Sequence, residues 1–508
     1  MTEEDMGQDA QEKELDTDVT NELDPRSDEI VDMKEAIKLL NTTRSTFYRW
    51  VREGKVKGMK VGRQWRFYRE DIERFLKGEE PRIELSADIG PLIENLRQRL
   101  GIEAVDHTTD SVITAVDLMI ALASNMNASD IHLAPHTKEG NAGTTAVLRY
   151  RVDGTLQTVA EVDPRLMTAI INRWKAMAHC DIGEKQKPQD GRLVAKVDDK
   201  KMELRVTFLP SGLGESLTVR IMAGAAWLAH LKLDDLGFSP RDRERILRWL
   251  HAPWGIIIVS GPTGSGKTTA LYACLSHIAR PEIKLLTVEN PVEVFLPWAV
   301  QTPVNPDAGL TFAAALRSVL RSDPDVIMVG DVRDPETLDM IHECALTGHL
   351  ILTQMHASGA AGALKRMVDL GSEPYIISES TKLIIAQRLV RKLCPDCSVE
   401  HDPPTELLDR IAKVACVGGL SWDSLPKKFC KPVGCPNCRE TGYKGRNLIA
   451  ETLEITPEII TVLARDASLE ELQAIAIDQG MTTIAADGVR RATMGETSIA
   501  EIMRVAVG

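Results

Sequence analysis

The sequence predicts an α/β protein of several units. The largest is built on a parallel sheet, and a smaller α+β unit and a small winged helical unit precede it. Three observations carry this. From Leu233 to Ala386, short apolar runs alternate with helical patterns, the order expected of a parallel sheet. From Ser111 to about Ala223, one amphipathic helix, VITAVDLMIALASNM, is followed by DIHLAP, AVLRYRVDG and MELRVTFLP, which alternate as strands with one wet face do. The length of 508 residues leaves room for three or four domains.

Composition narrows the class. The chain is 27% charged and 43% hydrophobic, an ordinary soluble balance. No apolar run reaches the roughly 18 residues of a membrane span, and the first stretch is acidic where a signal segment would be apolar. The reading is therefore a reducing compartment, where the nine cysteines bind metal more readily than they pair. A net charge of −13 argues against nonspecific nucleic-acid binding by the whole chain, but not against a local basic patch.

In chain order, residues 1–28 read as a disordered acidic tail. In 29–78, Ile37, Leu39 and Leu40 lie at helical spacing. A turn follows, with Thr43 or Ser45 as cap of a second helix carrying Phe47, Trp50 and Val51. A hairpin over Lys55–Phe67 and a helix over Arg69–Leu76 complete the unit. Its basic residues suit groove insertion and phosphate contacts, with Arg44, Arg49, Arg52, Lys60 and Arg63 as the DNA contacts. The segment resembles the excisionase-type winged helix-turn-helix; the other reading is a protein-docking unit. Residues 79–110 read as a linker with some helix, 111–225 as the α+β unit, 233–393 as the parallel-sheet core, 394–445 as a cysteine-bearing insert and 446–508 as a helical C-terminal region.

GIIIVSGPTGSGKTTALYACL is the strongest signal. A buried strand, Ile256–Val259, leads into Gly261-Pro262-Thr263-Gly264-Ser265-Gly266-Lys267-Thr268, then Thr269 and a helix. This is the strand–loop–helix context of a phosphate loop. Glycines let backbone N–H groups close around phosphates, the helix N-terminus favours anions, Lys267 pairs the β/γ-phosphates and Thr268 offers a hydroxyl to Mg²⁺. The ligand is ATP with Mg²⁺.

Such a site needs carboxylates beside the magnesium. RSDPDVIMVGD supplies Asp325 at the start of a strand and Asp331 after it, and Asp331 approaches the loop if this strand lies beside Ile256–Val259. KLLTVENPVE supplies Glu289 and Glu293. In ALTGHLILTQMHASGA, His349 and His356 flank one strand and suit phosphate sensing or water positioning. Arg149, Arg151, Arg192, Arg205 and Arg220 fall in the preceding strands, where the pattern alone fits the wet face of a sheet. Cys394-Pro-Asp-Cys397 and Cys435-Pro-Asn-Cys438 form two knuckles whose four thiolates suit structural zinc, clamping the base of an insert that also holds Cys416 and Cys430. Cys180, Cys274 and Cys344 read as core thiols.

GPTGSGKTT, TVENPVE, RSDPDVIMVGDVRDPET, TGHLILTQMHASGAAGALKRMVDLG, AQRLVRKLCPDC and CPNCRETGYKGR together resemble the type II secretion and type IV pilus assembly ATPases, from about Ser111 to the C-terminus. The resemblance implies a RecA-like ATPase core, a homo-hexameric ring, and a motor at the cytoplasmic face of an inner-membrane platform protein that drives pilin or pseudopilin assembly. It implies that Arg205 and Arg220 reach the nucleotide as the two domains close, and that Asp331 stands where the family has its water-activating glutamate. Asn290 stands where the family has aspartate. An aspartate at 331 is shorter by one methylene, roughly 1.5 Å of reach. These departures, with the basic first unit, support a second reading: a slow, nucleotide-gated protein that holds DNA or a protein partner through residues 29–78.

Overall fold

The computed structural model describes residues 30–52, 56, 58–61, 64–76, 87–102, 111–137, 143–197, 200–222 and 231–507. The acidic tail, Arg63 and parts of the expected hairpin and linker lie outside these residues.

The first unit is a three-stranded antiparallel sheet of β1 (Ile30–Asp32), β2 (Met59–Val61) and β3 (Gln64–Tyr68), in order β1-β3-β2. Helices Met33–Leu39, Arg44–Arg52 and Arg69–Leu76 accompany it. Strand β1 is an addition to the sequence reading; it pairs with β3 and ends at Asp32, which caps the first helix through Lys34 and Glu35 N–H groups. Thr43 Oγ1 accepts from Thr46 N and caps the second helix. Phe47, Val56, Phe67 and Ile72 close a small core. Arg44 and Arg49 are exposed on the second helix, and Lys60 lies on β2.

The second unit is an antiparallel sheet of β4 (Asp130–Thr137), β5 (Thr144–Val152), β6 (Thr155–Val162), β7 (Gln189–Val197), β8 (Lys200–Ser211) and β9 (Gly214–Met222), in order β6-β5-β4-β9-β8-β7. Alternation in β5 buries Ala146, Leu148 and Tyr150, while Arg149 and Arg151 take the other face. Helices Val112–Asn125 and Met167–Met177 cover the apolar face, burying Met119 and Trp174. The stretch expected as a linker contributes to this core. Helix Gly90–Leu100 buries Leu92, Ile93 and Leu96 there, and its end is set by Gly101 at φ +69°.

The third unit is a seven-stranded sheet of order β12-β11-β13-β14-β10-β15-β18. Its strands are β10 (Gly255–Ser260), β11 (Leu285–Glu289), β12 (Val300–Pro303), β13 (Val326–Val329), β14 (Leu350–Met355), β15 (Thr381–Leu393) and β18 (Tyr443–Glu454). All neighbours are parallel except β15 and β18. Ile256 and Ile258 pack on one face and Ile257 and Val259 on the other, so β10 is apolar throughout, as a strand covered on both sides must be. Two expectations are corrected. Strand β13 is not beside β10, because β14 runs between them. The region 446–508 is not wholly helical, because most of β18 lies in it and supplies the antiparallel edge of the sheet.

β15 and β18 form a long hairpin, and Leu393 faces Tyr443 at its end. The cysteine-bearing insert is therefore the tip of that hairpin, containing helix Thr405–Val417 and the short pair β16 (Val399–Glu400) and β17 (Cys430–Lys431). Buried Glu451 on β18 accepts from Ala360 N at 2.6 Å and Ile484 N at 3.0 Å, holding the N-termini of helices Ala360–Asp369 and Ile484–Thr493 against the sheet.

Candidate functional site

In a parallel sheet every carboxyl end lies on one edge, and ligands gather there. The loop after β10, Glu289 at the end of β11, Asp331 after β13 and His356 after β14 all reach that edge. With residues from the second unit they line a cleft of about 1060 Å³. Asp325 and His349 precede their strands and so lie at the opposite edge. Asp325 Oδ2 accepts from Lys284 N at 2.7 Å, His349 Nδ1 lies 2.9 Å from Cys344 O, and neither lines the cleft. Both expected roles are corrected by strand direction.

The loop is shaped by Gly264 and Gly266, at φ +79° and +86°, the left-handed region that glycine enters without strain. A Cβ at Gly266 would also stand 3.3 Å from Gln387 Nε2. That amide, on β15, donates to Ser265 O at 2.8 Å and props the loop from beneath. Thr263, Gly264, Gly266, Lys267, Thr268 and Thr269 line the cleft. Lys267 Nζ donates to Gly261 O at 2.9 Å and Pro262 O at 3.1 Å and lies 3.3 Å from His356 Nδ1. Desolvation holds its pKa below the usual lysine value, against the pull of Asp331 and Glu293.

The two sequence-assigned acids differ in their surroundings. Glu289 is buried and hydrogen-bonded through both oxygens: it accepts from Thr287 Oγ1 at 2.6 Å, Gln301 Nε2 at 3.0 Å and Tyr272 OH at 2.5 Å. It also lines the cleft, so these bonds fix the orientation of a carboxylate that keeps acceptor capacity to spare. Asp331 is 7% exposed; its Oδ2 accepts from Arg333 Nε at 2.5 Å and lies 3.5 Å from His356 Nε2. Its buried Oδ1 has no hydrogen-bond partner among the described residues. That acceptor is closed to solvent here and would take the proton of an attacking water only once the carboxylate is uncovered. Glu293 opens onto the cleft. Desolvation by the walls and then the Glu289 charge raise its pKa, against the Thr268 hydroxyl, which donates to it. Thr268 and Glu293 offer oxygen donors together, the chemistry Mg²⁺ requires.

The second unit supplies the opposite wall: Ser129, Asp130, Arg151, Gly154 and Arg220. Arg220, expected to reach the nucleotide, lines the cleft. Arg205 does not; it is exposed on β8, 3.9 Å from Asp190, and is not among the lining residues. Arg151 and Asp130 were not singled out for the site, and Arg333 was visible only as part of the quoted strand motif.

Away from the cleft, the Sγ atoms of Cys394, Cys397, Cys435 and Cys438 all lie within 4.8 Å of one another. Three of the pairs measure 3.9, 3.7 and 3.7 Å, close to the roughly 3.8 Å edge of a tetrahedron with 2.3 Å metal–sulfur bonds. Backbone N–H groups of Gly434 and Gly442 point at Cys397 and Cys438 sulfurs. The cluster is compatible with zinc; Cys430 and Cys416 take no part in it. Arg439, next to the second knuckle, donates to Asn125 O at 2.8 Å and Met126 O at 3.4 Å, the C-terminal carbonyls of helix Val112–Asn125. Asp153 accepts from Gly445 N at 2.9 Å.

A phosphate loop on the carboxyl edge of a parallel sheet, an acid two strands away and arginines from a second sheet define a two-lobed P-loop ATPase. The comparisons give the family. Residues 105–504 match the model described as "Type II/IV secretion system protein", and residues 30–80 match a "Helix-turn-helix domain". The type II secretion system protein HxcR of Pseudomonas aeruginosa is 39% identical over 394 residues, 78% of this chain and 77% of that protein. The type IV pilus assembly ATPase PilB of Acinetobacter baylyi is 38% identical, over 78% of this chain and 66% of that protein. The X-ray structure of the Legionella pneumophila ATPase DotB has a similar fold: TM-score 0.55 at 20% identity, covering 79% of this chain and 98% of that chain. The chain belongs to the type II/IV secretion system protein family and is a secretion-type motor ATPase, with a helix-turn-helix unit at its N-terminal end.

Proposed function

We propose that six copies form a ring that hydrolyses ATP to drive pseudopilin or pilin assembly against a membrane platform protein, at the cytoplasmic face of the membrane. No helix among the described residues is long and apolar enough to cross a membrane, so the ring would attach peripherally. The observation that carries this reading is the cleft itself, where Lys267 and Thr268 face Arg151 and Arg220 across a space lined from both units. Lys267 and the loop amides would bind the β- and γ-phosphates. Thr268 and Glu293 would hold Mg²⁺, which when bound neutralises charge on those phosphates. Asp331, fixed by Arg333, accepts a proton from water, and His356 keeps that carboxylate and Lys267 in register. Zinc at Cys394, Cys397, Cys435 and Cys438 would have no open position and act structurally. Mass photometry with a non-hydrolysable ATP analogue and Mg²⁺ is expected to give particles of six 56.0 kDa chains; any other closed copy number overturns the ring.

The helix-turn-helix unit favours a further partner. Its second helix exposes Arg44 and Arg49 on a chain of net charge −13, so local basic character is set against a global repulsion. Fluorescence anisotropy of the full chain on duplex DNA should show binding that weakens with salt, with a log–log slope of about −0.9 per phosphate contacted. No binding at low salt assigns the unit to a protein partner, the membrane platform being the first candidate.

A further inference from the structure

Strand register sets Arg192 on β7, Arg205 on β8, Arg220 on β9, Asp130 on β4 and Arg151 on β5 in one continuous row across the second sheet. Like charges directly opposite one another across strands repel. Asp190 offsets the outer end, 3.9 Å from Arg205 and exposed there. Asp130 offsets the inner end under different conditions. Its side chain is only 7% exposed, Ser129 Oγ donates to its Oδ2 at 2.8 Å, and it holds Arg220 Nε at 3.0 Å and Arg151 Nε at 3.7 Å. The two arginines it holds are those that line the cleft, while Arg192 and Arg205 do not. Arg220 keeps 61% of its side chain exposed and acts electrostatically on Glu293 across the cleft.

We propose that Asp130 is a positioning residue that holds Arg151 and Arg220 when the cleft is empty and yields them to nucleotide phosphates, competing with nucleotide for the same guanidinium groups. This rests on the nucleotide-site reading above. A guanidinium forks onto either a carboxylate or a phosphate with comparable geometry, so each phosphate contact made by these arginines displaces part of their hold on Asp130. The carboxylate thereby weakens the resting grip on nucleotide and gives the arginines a place to return to after hydrolysis.

Binding of Mg-ADP to the full chain by isothermal titration tests this. Asp130→Asn removes the competing charge and keeps the shape. It should tighten ADP about fivefold to tenfold, lower KM for ATP, and lower kcat through slower product release. Asp130→Glu should return affinity toward wild type. In the Arg151→Ala, Arg220→Ala background, Asp130→Asn should give no tightening. A purely structural role predicts weaker ADP binding in Asp130→Asn; unchanged or weaker binding with an unshifted melting temperature overturns the proposal. Should Asp130→Asn fold poorly, Ser129→Ala loosens the same carboxylate and should tighten ADP to a lesser degree, unchanged affinity again overturning it. A wild-type chain that binds no ADP rejects the nucleotide-site reading instead.

Discussion

Asp331→Asn should cut kcat for ATP hydrolysis by about 10²–10⁴ while leaving nucleotide affinity nearly unchanged, the range for loss of a general base. Asparagine is isosteric, and its oxygen can keep the hydrogen bond from Arg333 that now holds Oδ2 at 2.5 Å. What disappears is the acceptor at Oδ1, the buried atom that has no partner among the described residues. Lys267→Ala should behave differently. It removes an ammonium that faces the cleft, so affinity should fall about 10- to 100-fold, the loss of one or two charge-assisted hydrogen bonds, and turnover should fall with it. Equilibrium binding and single-turnover rates on the two variants separate these effects. Asp331→Asn with unaltered turnover would remove it from the mechanism. Asp331→Glu addresses rate: faster hydrolysis than the parent means the aspartate restrains the motor, while equal turnover rejects the slow-ATPase reading.

Stripping metal from the four-cysteine cluster should release one zinc per chain and lower the melting temperature by about 5–10 °C. Zinc held at a hundredfold over its Kd contributes about 2.7 kcal/mol, and each kcal/mol moves a unit of this size by roughly 2–4 °C. The cluster sits where β15 leaves the sheet and β18 enters it, so protease cuts should appear first in residues 394–445, as the clamp at their base opens. Cys397→Ser and Cys438→Ser should reproduce both changes. Cys416→Ser should reproduce neither, since that thiol lies outside the cluster and is exposed. Purified protein that holds no zinc by elemental analysis, and melts identically with and without chelator, would falsify the site.

The phosphate loop was legible because it is a local object: strand, loop and helix sit within about twenty consecutive residues. The knuckles were legible for the same reason. The acids and histidines were only half legible, and the missing half was available. Gly261–Thr268 follows its strand, so in a parallel sheet only residues that follow their strands can join it; Asp331 and His356 do, Asp325 and His349 do not. The distinction between Glu289 and Glu293 was less accessible. Glu289 is satisfied partly by Tyr272, seventeen positions away on the phosphate-loop helix, a contact that no spacing rule contains. Arg205 and Arg220 are direct cross-strand partners, and which one meets the cleft depends on how the two sheets dock. Helix Gly90–Leu100 was underread: Leu92, Ile93 and Leu96 at helical spacing before Gly101 marked a packed element.

Gln387, under the phosphate loop, lies on β15, and Cys394, at the first knuckle, follows directly after that strand's last residue, about 23 Å further along at 3.3 Å per residue. From the knuckle, Arg439 reaches helix Val112–Asn125, whose unit returns to the cleft through Arg151 and Arg220. The path runs from loop to strand, knuckle, helix and sheet, and ends at two arginines that face the loop across the cleft. The two walls of the cleft are thus joined by protein on one side and by solvent-filled space on the other. Any opening of the cleft between the two units has to be absorbed at the Arg439 contact or transmitted along β15 into the loop that would hold the phosphates.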